Sequence, residues 1–126
     1  MEVRKIKTLN FKGDELYIEV GQYMNNNRIA VCACTEEDYY GDITKNLPNA
    51  ILENENGGFI SEYIKTSGLE DRLLKEGIIE KVIGTVQYNM GQYDEVLFNL
   101  EKLKEYDRKG VERFLQNEDE EEKECE

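Results

Sequence analysis

The alternation of apolar and polar residues is clearest between Asp14 and Asn46. From Glu15 to Gln22, Leu16, Ile18 and Val20 alternate with Tyr17, Glu19 and Gly21, which predicts a half-buried strand. After the polar tip Tyr23-Met24-Asn25-Asn26-Asn27 comes a second strand, Arg28 to Glu36. Its run Ile29-Ala30-Val31-Cys32-Ala33-Cys34 is apolar at every position. Such a run suits a central strand, covered on both faces or flanked by other strands.

The rest of the chain is read around this hairpin. Val3 to Phe11 predicts a first strand whose broken alternation fits a bulge or an edge, and Lys12-Gly13-Asp14 a tight turn. Glu37-Asp38-Tyr39-Tyr40-Gly41 reads as a further turn, followed by a short fourth strand, Asp42 to Asn46. Pro48 keeps Leu47 out of a helix, and Glu53 to Gly58 is a polar loop. Phe59, Ile60, Tyr63 and Ile64 fit either a short strand or a turn and a half of helix.

Ser67 and Glu70 have the spacing of a capping box, which opens a helix from Gly68 to Glu76 that buries Leu69, Leu73 and Leu74 and stops at Gly77. Ile78 to Tyr88 and Gln92 to Leu100 form a second hairpin about Asn89-Met90-Gly91. A last helix runs from Glu105 to Gln116, where Gly110 costs about 1 kcal/mol relative to Ala. The expected architecture is a single α+β domain over residues 1–116. It holds an antiparallel sheet of about six strands, a meander plus the second hairpin, packed with one or two helices.

Charge changes this picture in one place. The formal net charge is −12; residues 117–126 carry −6 of it and the other 116 residues the remaining −6. A run of like charges without an apolar period stays solvated, so 117–126 is expected to be a disordered acidic tail. The balance disfavours direct nucleic-acid binding, which needs clustered Lys and Arg, and favours a basic protein surface as partner. No apolar run approaches the ~20 residues of a membrane span, and Met1 to Lys5 lacks the core of a secretory signal. A cytoplasmic protein with no membrane partner is expected.

Candidate chemistry is sparse. The chain has no histidine, which removes the commonest general base near neutral pH and the commonest zinc ligand. Cys32, Cys34 and Cys125 are read as reduced thiols, the first two in an apolar strand that should raise their pKa. A zinc site from these three would lack a fourth ligand and the usual Cys-x2-4-Cys spacing. Glu36-Glu37-Asp38 with Asp42 reads as a solvated acidic turn rather than a Ca²⁺ or Mg²⁺ loop. No phosphate-binding glycine motif occurs. The expectation is a protein that is not an enzyme and carries no metal or cofactor.

Tyrosines and amides gather at strand ends and turns: Tyr23, Asn25, Asn26, Asn27, Tyr39, Tyr40, Tyr88, Asn89 and Tyr93, with Asp42 beside them. Tyr supplies contact area at low entropic cost and Asn hydrogen-bonds in both directions, so these are the candidate binding residues. Turns and sheet margins are also built from the same residue types.

The stretch from Leu16 to Val31, with Tyr23, Asn25 and Asn26 at its turn, resembles a small bacterial domain-of-unknown-function family found on phages and conjugative elements. Asn46-Leu47 and Gly84-Thr85 resemble that family's two later motifs, although the Arg that precedes its Thr is absent here. The likeness spans Phe11 to Leu100 and makes the helix after Leu100 look like an addition. The resemblance implies a mobile-element accessory protein of the host cytoplasm and transfers no catalytic residue. Two functions follow as expectations. One is an acidic protein that binds a basic surface of a host protein, for example to inhibit a defence system. The other is a small-molecule, nucleotide-like binder in which Tyr39, Tyr88 or Tyr93 stacks on a base.

Overall fold

A computed structural model describes the backbone of residues 7–124 and the side chains of residues 7–116. Among the described residues it holds eight strands and three helices, an α+β fold in which the strands divide between two antiparallel sheets. The first sheet has the order β1 (Leu9–Phe11), β2 (Asp14–Gln22), β3 (Ile29–Cys34), β4 (Tyr39–Asp42). The second has β5 (Thr44–Lys45), β6 (Gly57–Ser61), β8 (Gly91–Phe98) and β7 (Ile79–Tyr88), in that order.

The expected meander forms the first sheet, but the fourth strand expected over Asp42 to Asn46 is divided at Ile43 between the two sheets. The Ile43 side chain is buried and its N–H donates to the Val31 carbonyl at 2.9 Å, after which Thr44 opens the second sheet. Thr44 Oγ1 accepts the Val31 N–H at 3.0 Å, so a side chain takes the place of the next ladder bond as the chain leaves β3. A hydroxyl acting as a strand partner leaves no trace in hydropathy, and this is why the crossing was not expected.

Tyr39, Tyr40 and Gly41 lie in β4 rather than in a turn. The turn sits earlier, closed by Thr35, whose N–H donates to the Asp38 carbonyl and whose hydroxyl accepts the Asp38 N–H. Gly57 and Gly58, expected at a loop end, are buried in β6. A side chain at Gly58 would press on the Phe98 ring and Thr44, so glycine lets the strand lie under them. Residues 59–66 contain both expected alternatives: β6 ends at Ser61, which caps α1 (Glu62–Ser67) by accepting the Ile64 N–H.

The helix expected at Gly68–Glu76 is α2 (Leu69–Lys75), ended by Gly77 at φ 78°. Its expected capping box does not form. Ser67 closes α1 by donating to the Ile64 carbonyl, Gly68 in the left-handed region separates the two helices, and Glu70 turns inward. The second hairpin forms where expected, but its turn is the two residues Asn89 and Met90, both at positive φ. Gly91, expected in the turn, lies in β8 and pairs with Tyr88, and Leu100, expected in the strand, opens the last helix.

α3 (Leu100–Glu124) starts earlier than expected and contains a break at Asp107, which has φ −151° and ψ 80°. It runs into the segment expected as an acidic tail; of residues 117–124 only the backbone is described, and 125–126, with Cys125, lie outside the described residues, as do residues 1–6 of the expected first strand. No helix among the described residues is long and apolar enough to cross a membrane.

One core joins the two sheets and the helices. Leu16, Ile18, Val20, Ile29, Val31 and Ala33 enter it from β2 and β3, Ile60, Val96 and Phe98 from the second sheet, and Leu69, Leu73, Tyr106, Val111 and Phe114 from the helices. The alternation of β2 thus fixes which face is buried and leaves the opposite face of the first sheet uncovered by the other described residues.

Candidate functional site

The uncovered face of the first sheet collects most of the chemistry. On β2 it presents Glu15, Tyr17 and Glu19, and on β3 Ala30, Cys32 and Cys34, while Ile29, Val31 and Ala33 point into the core. Of the two arrangements expected for β3, covered on both faces or flanked by other strands, the second holds: β3 lies between β2 and β4, and its outer side chains are only half-buried.

Register decides which groups meet. Tyr17 stands opposite Cys34 and Glu19 opposite Cys32. On the other side Cys32 faces Asp42 and Cys34 faces Tyr39, with an irregularity between Ala33 and Cys34 that accommodates the extra β4 residue. Glu19 Oε2 accepts from Cys34 Sγ at 3.7 Å and from Cys32 Sγ at 3.9 Å. The Tyr39 hydroxyl donates to the Asp42 carboxylate, and the Tyr17 hydroxyl to Glu15 at 3.3 Å.

This crowding keeps the thiols protonated. Partial burial pushes Cys32 up to about 12, helped by the neighbouring Cys34, Glu19 and Asp42. Burial and then the Glu19 carboxylate push Cys34 up as well. Neither is a thiolate nucleophile at neutral pH. The Tyr39 hydroxyl is raised by its bond to Asp42, so the face carries its negative charge on carboxylates alone.

Between Gly13 and Thr44 the chain holds seven acids, Asp14, Glu15, Glu19, Glu36, Glu37, Asp38 and Asp42, and a single base, Arg28. That base is occupied: its guanidinium donates to the Leu47 and Ala50 carbonyls at 2.8 and 2.6 Å and lies 5.9 Å from the Phe59 ring centre. Tyr39 is 58 % exposed and Tyr40 40 %, so two aromatic rings stand out from an acidic surface.

The candidate residues read from sequence separate into three groups. Tyr39, Tyr40 and Asp42 lie on β4, with Tyr39 and Asp42 opposite the thiols on this face. Asn25 and Asn26 are bound within the fold: Asn26 Nδ2 donates to Asn46 Oδ1, and Asn46 Nδ2 to Asn25 Oδ1, both at 2.9 Å. The Tyr23 hydroxyl meets Thr44 Oγ1 at 3.0 Å, and the Asn27 carbonyl accepts from Gln22. This turn clasps the start of the second sheet. Tyr88, Asn89 and Tyr93 belong to the β7–β8 hairpin of that sheet. Cys32 and Cys34 were grouped from sequence, with Cys125, but Glu19 was not joined to them, because its meeting with them depends on a register that the five-residue tip does not specify.

Two other places hold polar groups in unusual surroundings. A cleft of about 400 Å³ lies between the end of β2 and α3, lined by Val20, Gly21, Gln22, Tyr23, Met24, Asn27, Gly110, Arg113 and Phe114. Asp94 is buried in β8, where it accepts from Thr85 Oγ1 at 3.2 Å and pairs with Lys65 at 3.1 Å. The buried Glu70 carboxyl shares this site and is held up to about 7, by burial first and then by Asp94.

A family model described as Domain of unknown function (DUF4313) matches residues 17–118. The match begins inside β2, takes in the whole acidic face from Tyr17 onward, and runs past Leu100 into α3, so that helix is part of the domain and not an addition. No curated protein and no solved structure matches the chain.

Proposed function

The chain belongs to the DUF4313 family, a domain of unknown function, and from its geometry we propose that the domain acts by binding a basic protein surface through the open face of its first sheet. The observation that carries this reading is the charge imbalance of residues 13–44, seven acids against one base whose donors are already used by the chain's own carbonyls. The strands display Glu15, Glu19 and Asp42, the β3–β4 turn adds Glu36, Glu37 and Asp38, and Tyr39 and Tyr40 add exposed aromatic area of the kind enriched in protein interfaces. Such a surface steers a cationic partner and speeds encounter at low salt. Raised thiol pKa values and the absence of histidine favour binding over catalysis.

In this reading the protein is an acidic accessory factor of a phage or other mobile element, and its partner is a host protein with a Lys- and Arg-rich groove, for example one that holds nucleic acid in a defence system. Neutralising Glu36→Gln, Glu37→Gln and Asp38→Asn together tests it, since all three side chains are exposed at the edge of the face. Capture of a host protein in low salt, lost in high salt and reduced by the triple substitution, supports the reading. Capture that ignores both salt and the substitutions refutes it.

The cleft beside α3 favours a second reading, a small-ligand binder whose apolar floor is Val20 and Phe114 and whose rim offers Tyr23 and Arg113. That reading requires a thermal shift with at least one member of a nucleotide panel, diminished by Arg113→Ala. A flat response across the panel removes it.

A further inference from the structure

We propose that Glu19, Cys32 and Cys34 form a binding site for a thiophilic divalent cation such as zinc. The site stands on the open sheet face but does not depend on the partner-binding reading, since all its donors belong to this chain.

One carboxylate oxygen of Glu19 and the two cysteine sulfurs all lie within 4.8 Å of one another, the oxygen being 3.7 Å from Cys34 Sγ and 3.9 Å from Cys32 Sγ. Zinc bonds sulfur at ~2.3 Å and carboxylate oxygen at ~2.0 Å, so a tetrahedral ion requires sulfur–oxygen edges of about 3.5 Å and sulfur–sulfur edges of about 3.8 Å. The sulfur–oxygen edges observed exceed this by only a few tenths of an ångström, which small side-chain rotations close.

The backbone explains why the donors are already in place. Cys32 and Cys34 are two residues apart on one strand and therefore share a face, and the antiparallel register sets Glu19 directly opposite Cys32. Two strands of a ladder hold all three Cβ positions, so little conformational freedom remains to be lost on binding. Solvent is the candidate for the fourth position, and Asp42, opposite Cys32 on β4 and held by the Tyr39 hydroxyl, lies outside the group of donors within 4.8 Å of one another.

Donor type then selects the ion. Two sulfurs with carboxylate oxygen favour zinc and similar soft or borderline ions over Mg²⁺ or Ca²⁺, which require all-oxygen shells. Binding replaces the proton on each thiol, releasing both to solvent, while Glu19 enters as the carboxylate. Neighbouring carboxylates, which disfavour thiolate in the free protein, are compensated once a dication sits among them.

The test is titration of the reduced full-length chain with Co²⁺ and Zn²⁺, reading thiolate-to-cobalt charge-transfer absorption and the protection of thiols from alkylation. Saturable charge-transfer absorption, displaced by Zn²⁺ and not by Mg²⁺ or Ca²⁺, is expected. Cys125→Ser should leave it intact, whereas Cys32→Ser, Cys34→Ser and Glu19→Gln should each weaken binding at least about tenfold. Alkylation of wild-type Cys32 and Cys34, followed by mass spectrometry, should be slowed by Zn²⁺, a readout that requires no variant to fold. Absence of the charge-transfer band, metal binding that survives loss of both Cys32 and Cys34, or unprotected alkylation of these thiols overturns the site.

Discussion

The carboxylate of Asp107 accepts the backbone N–H of Val20 at 2.9 Å, so a helix side chain satisfies a strand donor that no other strand reaches among the described residues. Among the described residues β1 pairs with β2 from Asp14 to Leu16, and α3 meets the Val20 end of that β2 edge. The other Asp107 oxygen accepts the Gly110 N–H at 3.1 Å, which makes Asp107 the N-cap of the second half of the helix. Removing this carboxylate should uncap the helix and strand a strand amide together. Asp107→Ala is expected to cost about 2 to 3 kcal/mol, measured by urea denaturation, and Asp107→Asn distinctly less because its amide oxygen still accepts. An Ala variant as stable as wild type would show that neither bond matters.

Gly110 sits one helical turn further on, and a side chain there would collide with the Val20 carbonyl and the Asp107 carboxylate. On an open helix Gly→Ala gains about 1 kcal/mol, but overpacking against backbone costs about 1 to 3 kcal/mol. Backbone contact decides the sign: Gly110→Ala should lower the urea midpoint. A raised midpoint would mean that α3 does not press on β2 as described.

These two residues also mark the limit of what the sequence made legible. Both hairpins were readable from alternation and turn residues, and α2 from its leucines and Gly77. Gly110 stood out from sequence only as a helix penalty, because nothing local records the strand it touches. The same holds for Thr44, Glu70 and the Glu19–Cys32–Cys34 group, whose partners are distant in the chain and set by register. Tyr39 and Asp42 were singled out for their position at predicted turns and strand ends, while their places opposite the thiols required the β3–β4 bulge. Asn25 and Asn26 proved to be turn residues bonded to Asn46, as the chemistry of turns allows.

Glu70 and Asp94 make stability depend on pH near neutrality. Burial, followed by the hydrogen bond and charge of Asp94, raises Glu70 from an ordinary value of 4.5 to about 7. Burial acts to raise Asp94 too, but hydrogen bonds with Glu70, Lys65 and Thr85 outweigh it and hold Asp94 below its ordinary 3.8. A carboxyl raised in the folded chain stabilises fully below its unfolded value and loses that contribution as pH climbs through the folded one. Asp94 works in the opposite sense, losing its contribution as pH falls below 3.8. Stability should therefore fall by on the order of 1 to 3 kcal/mol between about pH 5 and about pH 8. Glu70→Gln, which cannot ionise, should flatten this slope in urea titrations; an unchanged slope would place the titration elsewhere.

Arg28 shows a different dependence, on shape rather than charge. Its planar guanidinium spans two carbonyls, of Leu47 and Ala50, that the ammonium of lysine cannot bridge with the same fork. Arg28→Lys keeps the net charge, yet it should cost about 1 to 2 kcal/mol and loosen the segment after Leu47, seen as faster amide exchange there. Unaltered exchange would show that the segment holds itself.

The proposed function requires the open face of the first sheet to be the surface that meets a cationic partner. The direct measurement is a map of amide chemical-shift changes in the isotope-labelled chain on adding a Lys- and Arg-rich peptide, at low and at high salt. Changes gathered at Glu15 to Glu19 and Cys32 to Asp42, fading as salt rises, are the expected result. Changes confined to residues 117–126 or to the β7–β8 hairpin, with that face silent, would contradict it.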